Sequence, residues 1–235
     1  MFSNEHPSPE LSSFTLPELA PGIVHVLLGY AQLLLVFISL LPAIDNGSPR
    51  LTYVELFAGD SAWSAGTRLF GYVGKSVDIN IDSSHDFMQP SGFLIALALV
   101  MGAHVGAILH AGCPCSTWVY MSRFTTGRHI DIMGDVGKMN VVQANAMVAR
   151  LVYILILCIK RGVYWTIEQP SSSVLFKHPR WEYLQRRFSS IIFRCDLDLG
   201  LYSYTCVKRT LLIGTAPYLG KLAYSKRGTG THARN

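Results

Sequence analysis

From residue 51 onward, short apolar runs alternate with longer apolar or amphipathic segments. The short runs are rich in β-branched and aromatic residues, which favours strands, whereas the longer segments have the length of helices. The predicted strands are residues 51–57, 72–79, 105–111, 163–167, 190–193 and 210–213, and the predicted helices are residues 61–70, 91–102 and 141–160. This alternation predicts an α/β fold of the Rossmann-like class, in which helices cover both faces of a mostly parallel sheet.

The first fifty residues differ from the rest of the chain. Residues 1–21 are rich in Pro, Ser and Glu and have no apolar periodicity, which predicts a flexible leader. Residues 22–44 contain no charge and have the length of a helix that spans a bilayer. His25, Gln32 and Ser39 recur every seven residues in this segment, and such a stripe also fits a helix packed against protein. Both interpretations stay open, and the turn-rich residues 45–50 form a linker to a single domain over residues 51–235.

Charge is distributed unevenly along the chain. The total formal charge is +5, but residues 1–50 contain four acidic residues and one Arg, so residues 51–235 carry a net charge of +8. Half of all residues are hydrophobic and 15% are charged, which excludes a wholly disordered chain. The basic body favours an acidic partner such as nucleic acid, although a basic protein without such a partner has the same composition.

The five cysteines are scattered and odd in number. This is not the pattern of a disulfide framework, and it predicts an intracellular, reducing compartment. Cys113-Pro114-Cys115 has no second Cys/His pair at zinc-finger spacing, so no metal site is predicted.

Polar and special residues follow successive predicted strands, where ligands bind in open α/β sheets. Gly59 and Asp60 follow the first strand and Asp78 lies near the end of the second. A glycine lets the backbone approach a ligand, and amides at the following helix N-terminus suit a carboxylate. Asp78 is suited to accept hydrogen bonds from ribose hydroxyls. The alternatives are a plain turn at Gly59 and a helix cap at Asp78.

Two further strand ends carry residues with catalytic chemistry. Cys115 follows the third strand, and a thiolate at such a position is a nucleophile. Glu168 follows the fourth strand, and a carboxyl group in a desolvated pocket can deliver a proton. The alternatives are a small buried cysteine and a glutamate paired with a neighbouring arginine.

These motifs resemble a known family. Residues 53–59 (YVELFAG) are similar to the cofactor-binding motif of DNA cytosine-5 methyltransferases, and residues 108–115 (ILHAGCPC) to the Gly-Pro-Pro-Cys loop of that family. Residues 167–170 (IEQP) stand where the family has Glu-Asn-Val. The resemblance implies a methyltransferase fold that binds S-adenosylmethionine. It implies cofactor contacts at Phe57, Ala58, Gly59 and Asp60, with the ribose at Asp78.

The resemblance also implies a reaction. Cys115 would attack C6 of a cytosine that has been flipped out of a helix, and Glu168 would steady the ring at N3. Apart from the resemblance, Ser122, Arg123, Gly127 and Arg128 follow the nucleophile. Two interpretations stay open for them: they cover the site or contact phosphate, or they form a solvated loop.

The chain departs from the family pattern at several positions. Cys113 replaces the first proline, Ser116 replaces the usual glutamine, and Gln169 replaces an asparagine that braces the loop. Only 67 residues follow Glu168, fewer than a target-recognition domain of the family needs. These departures leave a second interpretation open, a non-catalytic methyltransferase-fold module for binding or membrane tethering.

A third interpretation is an esterase with a Gly-Asp-Ser motif. Gly59-Asp60-Ser61 would supply Ser61 as the nucleophile. Such an enzyme needs an Asp-x-x-His motif near the C-terminus, and the pattern in this chain is Asp82-Ser83-Ser84-His85, near the middle.

Overall fold

A computed structural model describes residues 50–198 and 209–224. The predicted leader, the apolar segment 22–44 and the linker up to residue 49 lie outside these residues. The strands are β1 (Leu51–Leu56), β2 (Gly74–Val77), β3 (Ala103–Ala111), β4 (Tyr164–Pro170), β5 (Phe193–Asp198) and β6 (Arg209–Gly214). The helices are α1 (Ala62–Leu69), α2 (Pro90–Gly102), α3 (Met139–Arg161), α4 (Pro179–Arg187) and α5 (Leu219–Tyr224).

The strands form one sheet with the order β2-β1-β3-β4-β6-β5. The first four strands of this order pair in parallel, whereas β6 is antiparallel to both β4 and β5. The predicted α/β fold with a mostly parallel sheet is therefore confirmed. The chain leaves β1 toward β2 on one side and returns to β3 on the other, so the strand order reverses at β1.

Helices lie on both faces of the sheet, as predicted. Val54 and Leu56 of β1 belong to the main apolar core, together with buried residues of α2, α3 and α4. Glu55 points to the opposite face, where its carboxylate accepts hydrogen bonds from Ser64 of α1. Successive strand residues point to opposite faces, so one strand serves both layers. Each large apolar side chain buried here stabilises the fold by about 1.5–3 kcal/mol.

Helix α3 is long and apolar enough to cross a membrane, judged by length and composition alone. Its buried residues include Val148, Leu151, Ile154 and Leu155, which all belong to the apolar core. This burial is that of the central helix of a packed domain.

Several element boundaries differ from the predictions. Strand β4 continues through Glu168 to Pro170 because β6 pairs with it as far as Thr210, beyond the last pairing with β3. The predicted strand 190–193 is wrong, since residues 189–191 form a short 3-10 helix and β5 begins at Phe193. Strand β2 is shorter than predicted, and helices α4 and α5 were not predicted.

Candidate functional site

The carboxyl ends of the four parallel strands lie level with one another. Leu56 is in register with Val77 on one side and with Ala111 on the other, and Ala111 is in register with Ile167. The segments that follow these residues therefore meet at one edge of the sheet. The reversal of strand order between β2 and β3 opens a crevice at this edge, the usual place for a ligand in such sheets.

The loop after β1 has an unusual backbone. Phe57, Gly59 and Ser61 have positive φ values of 56°, 51° and 55°. A glycine adopts this region readily, whereas each of the other two costs roughly 1–3 kcal/mol. The turn is held by hydrogen bonds from the Ser61 amide to the Ala58 carbonyl (2.7 Å) and from the Ala58 amide to the Val77 carbonyl (3.3 Å). Strain of this kind is concentrated at ligand sites.

Asp78 joins the end of β2 to this loop. One carboxylate oxygen accepts a hydrogen bond from the Gly59 amide at 2.9 Å, and the other accepts one from the Asn80 amide at 2.8 Å. Asp78 therefore fixes the loop. A carboxylate has about four acceptor positions, so these two bonds leave capacity for the predicted ribose hydroxyls.

A first cavity, of about 280 Å³, lies beyond the ends of β1 and β2. Phe57 and Asp78, both predicted as cofactor residues, line it. The ring of Phe57 packs edge-on against Phe87, with centroids 5.0 Å apart. His85, the histidine of the esterase pattern, lines the same cavity, as do Asp86, Phe87 and Met147, which were not singled out in the sequence. The run of turn residues before α2 was the one sequence signal for Asp86 and Phe87.

A second cavity, of about 420 Å³, lies beyond the ends of β1, β3 and β4. Cys115 and Glu168, the predicted catalytic pair, both line it. Ala58 and Asp60, which were predicted as cofactor residues, are also in its lining. The structure thus brings together residues that are far apart in sequence. Its other polar and aromatic lining residues, not predicted as site residues, are Glu55, Trp63, His110 and Gln169.

Glu55 forms a buried polar cluster beneath this cavity. Only 4% of the residue is exposed, and its carboxylate accepts hydrogen bonds from the amide and hydroxyl of Ser64 and from the hydroxyl of Ser76. The carboxylate therefore takes up an amide at the start of α1, where the sequence suggested donors for a ligand. A cationic group suits this end of the cavity better than a carboxylate.

His110 lies beside Glu55 in the register of the sheet, and Thr166 lies on its other side. Its Nδ1 is 2.9 Å from the Thr166 hydroxyl, and its ring stacks on Trp63 with centroids 5.0 Å apart. Burial lowers the pKa of His110 to about 4, although the nearby Glu168 acts in the opposite direction. His110 is thus a neutral polar wall of the cavity at neutral pH.

Gln169 braces the cysteine loop after β3. Its side-chain amide donates to the Cys113 carbonyl at 2.7 Å and lies 3.2 Å from the Cys113 sulfur. Its side-chain oxygen accepts a hydrogen bond from the Ser173 hydroxyl at 2.9 Å. Gln169 stands where the family has a bracing asparagine, and its longer side chain also makes a bracing contact.

The two cavities are adjacent. Phe57, Gly112 and Pro114 line both of them, so the loops after β1 and β3 separate the two spaces. A third space, a groove of about 690 Å³ on the sheet face between α1 and α5, shares Trp63, His110 and Glu168 with the second cavity. Because the first and second cavities share Phe57, Gly112 and Pro114, ligands bound in these two cavities would come together at the loops after β1 and β3.

Two of the residues expected to contact phosphate are engaged within the protein. The buried Arg128 lies 3.4 Å from the centre of the Trp118 ring and donates to the Ile132 carbonyl and to Asn145. Arg123 donates to the Ser172 carbonyl at 2.9 Å. These contacts hold the segment that follows Cys115, so Arg128 has a structural role.

The esterase motif is divided in space. His85 lines the first cavity, whereas Ser61 is in the lining of none of the three spaces described above. The side chain of Ser61 makes no capping hydrogen bond to α1.

Comparison with protein-family models gives no match to this chain, and comparison with curated proteins gives none either.

Proposed function

We propose that this protein is an S-adenosylmethionine-dependent methyltransferase with a methyltransferase fold and that its acceptor is cytosine in nucleic acid. The observation that carries the proposal is the meeting of the two cavities at Phe57, Gly112 and Pro114. Methyl transfer needs a donor and an acceptor in line across a short distance, and two adjoining cavities at the sheet edge meet this need.

The first cavity and its border fit the cofactor. The second cavity, of about 420 Å³, lies within the ~300–1,000 Å³ of small-molecule sites, and the first, of about 280 Å³, lies just below that range. Phe57 and Phe87 offer apolar surface to the purine of the cofactor. Asp78 and Asp86 offer acceptors to the hydroxyl and amino groups of the cofactor. S-adenosylmethionine carries positive charge on its sulfonium and amino groups. The carboxylates of Glu55 and Asp60 on the adjoining cavity favour that charge.

The second cavity fits the acceptor. When bound, the cofactor supplies an electrophilic methyl group. Cys115 would form a bond to C6 of the cytosine ring, and Glu168 would hold a proton at N3. Trp63 and His110 form a stacked wall that keeps water from one side of this cavity. The basic body of the protein suits the phosphates of a nucleic acid.

Cofactor binding is tested by calorimetric titration of the full chain with S-adenosylmethionine. We expect saturable binding by millimolar concentrations, the weak end of the usual range for enzymes. Absence of binding in that range would refute the proposal.

A variant of Asp86 sharpens the titration. One carboxylate oxygen of Asp86 accepts the Met88 amide at 2.8 Å, and Asn can keep that bond while its amide replaces the other oxygen. Loss of one charged acceptor, about 1.5–3 kcal/mol, should weaken binding about 10- to 100-fold. Asp131→Asn is the matched control, because Asp131 makes the same kind of bond to Met133 in an exposed loop.

Methyl transfer is tested with a labelled methyl donor and separate DNA, RNA and protein pools. We expect label in nucleic acid, and we expect Cys115→Ser and Glu168→Ala to abolish it. Label confined to the protein pool would refute cytosine as the methyl acceptor. Full activity of Cys115→Ser would refute the role of Cys115 as the nucleophile but would not refute cofactor binding.

A further inference from the structure

The loop after β3 carries two thiols on one cavity. Cys113 and Cys115 both line the second cavity and are separated by Pro114. Cys113 is 3% exposed, whereas Cys115 is partly exposed. The two other described cysteines are buried elsewhere, Cys158 in α3 and Cys195 in β5. The proposed reaction uses one thiol of the loop and gives no role to the second.

The spacing of the two thiols is compatible with a bond between them. The Cα atoms of residues i and i+2 lie at most about 7 Å apart, and disulfides span ~4.4–6.8 Å between Cα atoms. The side-chain amide of Gln169 holds the backbone of Cys113 at the cavity. Burial raises the pKa of Cys113 to about 12, and the adjacent Cys115 contributes in the same direction.

We infer that Cys113 is a resolving thiol, which forms a reversible disulfide with Cys115 after a peroxide has oxidised Cys115. In the first step the Cys115 sulfur attacks one peroxide oxygen, the O–O bond breaks, and sulfenic acid and water form. In the second step the Cys113 sulfur attacks the sulfenic sulfur, and the hydroxyl group leaves as water with the Cys113 proton. The peroxide accepts two electrons, and the two thiols lose one hydrogen each.

The environment of each thiol sets the order of these steps. Cys113 stays protonated at neutral pH and is shielded, so oxidation begins at the more accessible Cys115. Because the second step needs the Cys113 thiolate, it should become faster as the pH rises. The disulfide keeps Cys115 from further oxidation to irreversible sulfinic and sulfonic acids. A dithiol reductant should restore both thiols.

The test uses the full chain and hydrogen peroxide, followed by thiol alkylation and mass spectrometry. We expect the oxidised protein to lose the mass of two hydrogens. The loss should map to one proteolytic peptide that contains both Cys113 and Cys115, cross-linked internally and not alkylated at either cysteine. Dithiothreitol should reverse both changes. Oxygen adducts on Cys115 with Cys113 still open to alkylation after unfolding would overturn the inference. A disulfide to Cys158, Cys195 or Cys206 would overturn it as well.

A matched pair of variants isolates the role of Cys113. Cys113→Ser should convert the reversible product into oxygen adducts on Cys115, and Cys158→Ser should behave like the unaltered chain. The cross-link in the unaltered chain is a readout that does not require either variant to fold.

This inference stands apart from the proposed function, because the oxidation needs neither cofactor nor acceptor. If S-adenosylmethionine fails to bind and the cross-link forms, the methyltransferase proposal falls and the resolving thiol remains. If the cofactor binds and no cross-link forms, the resolving thiol falls and the methyltransferase proposal remains. Where both hold, peroxide should abolish methyl transfer and dithiothreitol should recover it.

Discussion

Replacing Gln169 with leucine should loosen the loop that contains Cys113 and Cys115 and should lower the free energy of unfolding of the protein. Gln169 is 1% exposed, and its amide is the donor to the Cys113 carbonyl. The buried carbonyl left without this donor costs about 1–3 kcal/mol, and the lost bond from Ser173 costs ~0.5–1.5 kcal/mol. Part of this loss is offset by the apolar side chain. We therefore expect the free energy of unfolding of Gln169→Leu to fall by about 1–4 kcal/mol.

Urea unfolding followed by tryptophan fluorescence measures this change. Gln185→Leu is the control, since Gln185 is exposed on α4 and should change the free energy of unfolding by no more than ~0.5 kcal/mol. Alkylation of Cys113, which burial slows in the unaltered chain, should become faster in Gln169→Leu alone. Equal free energies of unfolding for the two variants would refute the bracing role of Gln169.

Three further changes test the burial, packing and backbone of the same region. Folded protein keeps His110 neutral, because burial lowers its pKa to about 4, while the unfolded chain binds a proton at the ordinary pKa. Above that ordinary pKa, His110 causes no loss of stability. As the pH falls from there toward 4, the free energy of unfolding decreases by about 3 kcal/mol because the unfolded chain binds a proton that the folded protein does not. His110→Gln should flatten this part of the pH dependence in urea unfolding, and an unchanged slope would contradict it. Gly74→Ala would put a Cβ 2.4 Å from the ring and carbonyl of Tyr53 and should destabilise by about 1–3 kcal/mol. Gly66→Ala on α1 meets no atom within 4 Å and should not destabilise, so similar melting temperatures for the two would argue against this packing. Ser61→Gly should stabilise by up to about 1 kcal/mol, since it relieves a positive φ without losing a cap. Loss of an esterase activity in that variant would instead favour the Gly-Asp-Ser interpretation.

The parts of the fold that the sequence predicted well are those set by local pattern. Strand β3 and helix α3 are long apolar segments, and their lengths alone separate strand from helix. Helix α4 was missed because it is short and polar, with two buried residues, Trp181 and Leu184. The extension of β4 to Pro170 depends on β6, which follows about forty residues later and runs in the opposite direction.

The missed site residues depend on contacts between distant segments. Glu55, His110 and Thr166 stand side by side on three neighbouring strands, in a row that only the register creates. Read along the chain, Glu55 is a charge in an apolar run and His110 is a polar residue in a buried strand. Cys115 and Glu168, which both line the second cavity, could be proposed from the sequence because each follows a predicted strand of a parallel sheet.

The backbone of the loop after β1 bears on the test of the proposed cofactor site. The sequence predicts a special backbone only at Gly59, yet Phe57 also has a positive φ. This conformation depends on β2, since Asp78 accepts the Gly59 amide. A substitution of Asp78 would therefore alter the loop as well as any contact with a ribose. Asp86 lines the same cavity, and its carboxylate accepts a hydrogen bond from the Met88 amide within its own turn. A weakened cofactor affinity in Asp86→Asn would thus report on the ligand contact itself.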